Sequence, residues 1–132
     1  MRVVDTDVPR SFEDVRQQYR EIAALLDEKA RGEQIIAEMD SNLARLDRDR
    51  SPVAPTAIVL HGDLYTYGRG SITDVVMTRA GLENVAVRLG IGEFGQVPLE
   101  VMAMNPVDVL VVGSHRDGPA LATELQIGRA HV

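Results

Sequence analysis

The sequence predicts an α/β protein laid out in two stretches, helices over residues 11–55 and strands alternating with short helices over 56–126. Three observations carry this. Apolar residues recur at three- and four-residue intervals in the first third of the chain. A proline-bracketed break, Ser51-Pro-Val-Ala-Pro55, closes that pattern. Beyond it, two short apolar runs, Ala57–Leu60 and Val109–Val112, are each reached through turns and short helices. Strands alternating with helices imply a parallel or mostly parallel sheet.

Each element has a local cause. Arg2-Val-Val-Asp5 reads as the tail of a strand, and Ser11-Phe-Glu-Asp14 resembles a capping box with Asp in place of the usual Glu. Phe12, Val15, Tyr19, Ile22 and Leu26 form the stripe of a first helix, which Arg31-Gly32 punctuates. Ile36, Met39, Leu43 and Leu46 form the stripe of a second. A strand is expected over 56–61 and a helix over 71–80, ending at Gly81. A glycine-rich loop (Gly90, Gly92, Gly95) comes next. A short helix from Pro98 to Met104 has Pro at a tolerated first-turn position, and a second strand covers 107–112. A last helix begins near Pro119. Two strands do not complete a sheet, so the fold reads as cut.

Composition narrows the function. The 132 residues suit one domain, and 45% apolar content suffices for a core. A net charge of −6 without a basic patch argues against nucleic acid as partner. The absence of cysteine excludes disulfides and thiolate metal sites. No apolar run is long enough to span a membrane, and Met1 is not followed by a signal peptide. Ile127–Val132 fits no preceding pattern and matches the translation of one reading frame of a common sequencing adapter. It is read as adapter read-through, with an ordinary frayed terminus as the alternative, and set aside.

Chemistry concentrates at the carboxyl end of the first strand, where ligands bind in open α/β sheets. Aromatics are scarce (two Phe, three Tyr, no Trp), yet Tyr65, Tyr67 and Phe94 fall in one half. Tyr65-Thr-Tyr-Gly-Arg-Gly-Ser71 is a glycine-bracketed turn at a helix start, a setting that suits an anion. Arg69 can grip carboxylate or phosphate with two bonds. The plainer reading is a loop whose tyrosines cover the sheet edge and whose Ser71 only caps the helix. No Gly-Lys-Ser/Thr follows, so it is not a Walker loop. His61 and His115 are isolated and lack the spaced partners of a metal site. His61 stands as a minor candidate ligand and no resident metal is expected; His131 lies in the set-aside tail. Asp5, Asp7, Asp27, Glu28 and Glu33 read as solvated faces and caps. Glu100 is either an ordinary first-turn acid or an exposed handle for a partner protein. No Ser-His-Asp or paired-carboxylate arrangement is present, and no enzyme is expected.

The order of these features resembles the bacterial periplasmic binding proteins for iron-siderophores, cobalamin and haem. Val3-Val-Asp-Thr-Asp-Val-Pro-Arg-Ser-Phe-Glu-Asp-Val15 resembles their crossover from the first lobe into the interlobe helices. Tyr65-Thr-Tyr-Gly-Arg-Gly-Ser-Ile72 and Ala80-Gly-Leu-Glu-Asn-Val-Ala86 resemble the start of the second lobe. Gly95-Gln-Val-Pro-Leu-Glu100 and Asn105-Pro-Val-Asp108 complete a series that covers residues 3–126. The resemblance implies the end of a first lobe over 1–10, interlobe helices over 11–55, and part of a C-terminal three-layer α/β lobe over 56–126. It implies a substrate-binding component of an ABC importer that captures a ferric siderophore or cobalamin, with haem as the alternative. Tyr65, Tyr67 and Phe94 match ligand-contacting positions, and Arg69 joins them in the same loop. Glu100 matches a glutamate that docks on permease arginines, where a charge pair steers approach and register. A periplasmic or lipid-anchored monomer facing a permease dimer is expected.

The chain departs from the family pattern in three ways. Pro106-Val-Asp108 stands where the family has Pro-Asp, and both the first lobe and the last strands of the second are lacking. Two readings from other classes stay open. One is a nucleotide- or anion-binding α/β domain built on Gly68-Arg-Gly-Ser71, and the other a helical interaction module over 11–50.

Overall fold

A computed structural model describes residues 3–113. The chain divides after Arg50 into two compact units. In the first, residues 3–10 form no strand, so the strand tail expected at Arg2–Asp5 has no partner among the described residues. Gln18 Nε2 instead donates to the Asp7 carbonyl. Helix α1 (Phe12–Leu25) starts as the sequence dictates. Ser11 Oγ accepts the Asp14 N–H at 3.1 Å. The Asp14 carboxylate reaches back to the Arg10 N–H at 2.9 Å, and this bond, with the Ser11 hydroxyl, holds the acid below its ordinary pKa.

The break between helices falls elsewhere than expected. The chain turns at Asp27, which takes φ 56°, and α2 (Lys29–Arg48) runs straight through Gly32. Gly32 is not punctuation: a Cβ there would lie 2.5 Å from the Ala23 Cβ, so the glycine lets α1 and α2 close. Ala23, Ile36 and Leu43 are buried along this seam. Tyr19, Ile22, Leu26 and Leu46, all read as stripe residues, are exposed, because a helix packed on one partner buries only the narrow face at closest approach. Arg16 adds a two-pronged pair to Asp40 (2.6 and 3.0 Å), and Arg20 pairs with Glu33 at 2.8 Å.

The second unit is built on a parallel sheet. β1 (Thr56–Leu60) lies in the centre, flanked by β3 (Glu83–Asn84) and β5 (Val109–Val112), with Ala57 opposite both Asn84 and Val109. The sequence reading missed β3, since two residues carry no periodicity. A separate antiparallel ladder joins β2 (Tyr65–Thr66) to β4 (Gly95–Gln96). Helices α3 (Ile72–Arg79), α4 (Val85–Arg88) and α5 (Leu99–Met104) fill the connections. Ile58, Leu60, Leu64, Ala86, Val97 and Met102 form the core. Each large apolar side chain so buried contributes about 1.5–3 kcal/mol. Asp108 ties the amino ends of β1 and β5: its Oδ2 accepts both the Thr56 N–H and hydroxyl at 2.8 Å. The helix expected near Pro119, His115, and the tail Ile127–Val132 lie outside the described residues.

Candidate functional site

At the carboxyl end of β1 the chain makes a strained turn. Asp63 and Leu64 take φ 59° and 62°, left-handed backbone that non-glycine residues rarely adopt. The turn is held from across the ladder, where Gln96 Nε2 donates to the Asp63 carbonyl (2.8 Å) and the Val97 N–H to the Leu64 carbonyl (3.0 Å). It delivers Tyr65-Thr-Tyr67 in extended form. Alternation then sends Thr66 inward, fully buried with its hydroxyl donating to the Val59 carbonyl at 2.6 Å. Tyr65 and Tyr67 share the other face.

The ladder brings in Phe94. Thr66 opposes Gly95, so the next pair outward sets Tyr67 against Phe94. Tyr65 and Phe94 stack nearly parallel at 4.8 Å between centroids, and Tyr67 tilts against Phe94 at 5.1 Å. His61 completes the group, edge-on to Tyr67 at 5.2 Å. Phe94 is 56% exposed, which leaves aromatic surface open to a ligand. Three of the candidate residues are thus joined through Phe94, and Tyr67 links them to the histidine the sequence singled out only as a minor candidate.

The glycine turn is less suited to an anion than its sequence suggested. The Gly68 N–H donates to the Gly92 carbonyl (2.9 Å), and the Arg69 N–H donates to the Ile91 carbonyl (3.1 Å). Ser71 caps α3 by accepting the Asp74 N–H, while its hydroxyl donates to the Gly68 carbonyl. The Gly68, Arg69, Ser71 and Asp74 N–H groups are therefore engaged within the protein, and the Glu93 side chain lies beside Gly70. The Arg69 guanidinium stands exposed on the rim, with no hydrogen bond or ion pair to a described residue and no part in the ring contacts. Glu100, in the first turn of α5, is also exposed. Among the described residues, no three His, Asp or Glu side chains converge on a metal position. No helix among them is long and apolar enough to cross a membrane.

Two contributors escaped the sequence reading. Asn84, 5% exposed, caps α4 by accepting the Ala86 N–H and donates to the Tyr67 carbonyl (3.0 Å) and Asp74 Oδ1 (3.1 Å). An Asn just before the apolar run Val85-Ala-Val87 is a recognisable cap signal. Gln96 had none, since its role depends on a fold across 33 residues.

This is an α/β unit with an aromatic cluster at the sheet's carboxyl edge. A family model described as periplasmic binding protein matches residues 1–127, and the chain belongs to that family of solute-binding proteins. No curated sequence matches it. Among solved structures, a periplasmic haem-binding protein from Pseudomonas aeruginosa shares the fold. Its TM-score is 0.74 at 20% identity, over 97% of this chain and 48% of that one. The haem-binding protein RhuT from Roseiflexus sp. RS-1 is 30% identical (TM-score 0.67, 79% of this chain, 42% of that one). The molybdate-binding protein MolA from Haemophilus influenzae is 34% identical (TM-score 0.65, 76% and 32%). The chain spans about a third to a half of the length of these structures.

Proposed function

We propose that this chain forms one wall of the ligand cleft in the substrate-binding component of an ABC importer, and that its ligand is a metal chelate such as a ferric siderophore or cobalamin. The observation that carries this is the contiguous stack of Tyr65, Phe94 and Tyr67 at the sheet's carboxyl edge in a member of a solute-binding family. Flat rings offer a bulky chelate a large contact area with few rotatable bonds to freeze. Arg69 stands on the same rim for an anionic group. Occupied backbone donors at the glycine turn weigh against the nucleotide reading. Haem is a second reading, favoured by the contact between His61 and Tyr67, two residue types that ligate haem iron.

The chain has no tryptophan and two of its three tyrosines lie in the wall, so tyrosine emission in a Tyr19→Phe background reports on it. Titration of the full chain with a ferric hydroxamate, cobalamin, haemin and molybdate should show quenching by a chelate. Tyr67→Ala should weaken that ligand by about tenfold. Tight molybdate binding with no response to Tyr67→Ala would overturn the reading. A Soret shift with haemin, lost in Tyr65→Phe or His61→Ala, would select haem.

Glu100 is proposed to dock on permease arginines in an inner-membrane complex reached from the periplasm. Its exposure suits a rim charge, which sets approach and register more than affinity. In cells, Glu100→Ala should cut uptake severalfold while leaving ligand affinity intact. Loss of ligand binding instead would assign Glu100 to the cleft.

A further inference from the structure

We propose that Asn84 is a positioning residue, which sets the aromatic wall by holding the Tyr67 carbonyl. The inference rests on the reading of that wall as a ligand surface, but its first test needs no ligand. β2 ends at Thr66 and β4 begins at Gly95, so the Tyr67–Phe94 pair lies just beyond the ladder. Ladder bonds therefore do not fix Tyr67. Its carbonyl is taken by Asn84 Nδ2 at 3.0 Å, from 17 residues away.

Asn84 is an immobile base for that bond. Its backbone is paired with Ala57 on the central strand, its Oδ1 caps α4 through the Ala86 N–H, and its other amide hydrogen goes to Asp74 on α3. One buried amide thus joins the sheet, two helix starts and the ligand loop. With Gly68 pinned to Gly92 immediately after, the backbone on the carboxyl side of Tyr67 is fixed at consecutive groups. Ring direction follows backbone direction, because Tyr67 leaves its Cα with few rotamers. Release of the carbonyl would let the ring swing from Phe94.

The test exchanges partners. Asp74→Asn combined with Asn84→Asp keeps an acceptor for the Ala86 N–H and keeps the 74–84 hydrogen bond with its direction reversed. The donor to Tyr67 is lost, and a carboxylate oxygen in its place repels the Tyr67 carbonyl, which releases it. The chain has two phenylalanines, so the Phe94 ring protons are readily assigned by NMR. In the unmodified protein their resonances carry the ring currents of both tyrosines; in the exchanged variant they should move toward unstacked positions while Phe12 stays put. Haemin affinity, as the ligand probe, should fall about fivefold, as for one lost hydrogen bond.

Unmoved Phe94 resonances would overturn the proposal whatever haemin does. Moved resonances, with the binding of haemin, cobalamin and a ferric hydroxamate all indifferent to both this variant and Tyr67→Ala, would leave the positioning role standing and sink the ligand-wall reading. If the exchanged variant unfolds, Asn84→Ser, which retains the cap acceptor but cannot reach Tyr67, takes its place. Unfolding of that variant too would overturn the proposal by making Asn84 a support of the whole fold.

Discussion

The helical unit and the α/β unit each turn on a glycine that has no room for a side chain, and the obstacle differs. At Gly32 a Cβ would meet the Ala23 Cβ at 2.5 Å, side chain against side chain between two helices. At Gly68 it would meet the Ile91 carbonyl oxygen at 2.2 Å, against backbone that is itself hydrogen-bonded to the Gly68 loop. A helix pair can slide or splay and rescue part of its packing. A loop clamped to another loop by paired backbone bonds has no such freedom. The same contrast holds for the two carboxylate clamps. Asp14 closes on the Arg10 N–H, four residues away, whereas Asp108 closes on Thr56, 52 residues away.

The largest test of this difference is Gly68→Ala. It should destabilise the α/β unit by about 3 kcal/mol, the upper end of ordinary overpacking, and should disperse the tyrosine–phenylalanine stack. Urea melts followed by near-ultraviolet dichroism read both, and an unchanged midpoint would remove the clamp from the account.

Gly32→Ala should cost less. The substitution gains about 1 kcal/mol of helix propensity and loses about 1–3 kcal/mol to the clash with Ala23, so the clash wins by about 1 kcal/mol. Ala23→Gly in the same chain should restore the seam. A Gly32→Ala protein as stable as the parent in thermal melts would show that the helices splay freely.

The smallest effect is on acid stability. Hydrogen bonds from Thr56 hold the Asp108 carboxyl below its ordinary 3.8, and bonds from Arg10 and Ser11 hold Asp14 below the same value. A carboxylate whose folded pKa is depressed stabilises the fold above the unfolded value, and that contribution is lost as pH falls through the lowered folded value. Melting temperature should therefore be flat above about pH 5 and decline below pH 3.8, less steeply in Asp108→Ala. An equal slope in that variant would place the acid sensitivity elsewhere.

Legibility followed the span of each interaction. The Ser11 and Ser71 caps, the stop before Gly81 and the strand of Ala57–Leu60 were readable because their causes lie within a few residues. The aromatic candidates were readable as types and as neighbours in the chain. Their contact was not, since Phe94 reaches Tyr65 only through a two-residue ladder. The helical stripes misled over Tyr19, Ile22, Leu26 and Leu46 for a related reason. Periodicity says which residues share a face, not how wide a strip of that face a single partner helix covers.

By itself, then, the sequence determined the order of the longer elements, the Ser11 and Ser71 caps, the α/β class and the family to which that order belongs. Tertiary structure decided that Gly32 is a contact and not a break, that a third strand flanks β1, and that Asp108 closes β5 onto β1. It also decided that Asn84 and Gln96 hold the loop carrying the tyrosines. Caps and periodicities are properties of neighbouring residues, whose geometry the backbone fixes at once. Close approach and distant hydrogen bonds exist only after the chain has closed on itself, and no local pattern encodes which carbonyl an amide will meet.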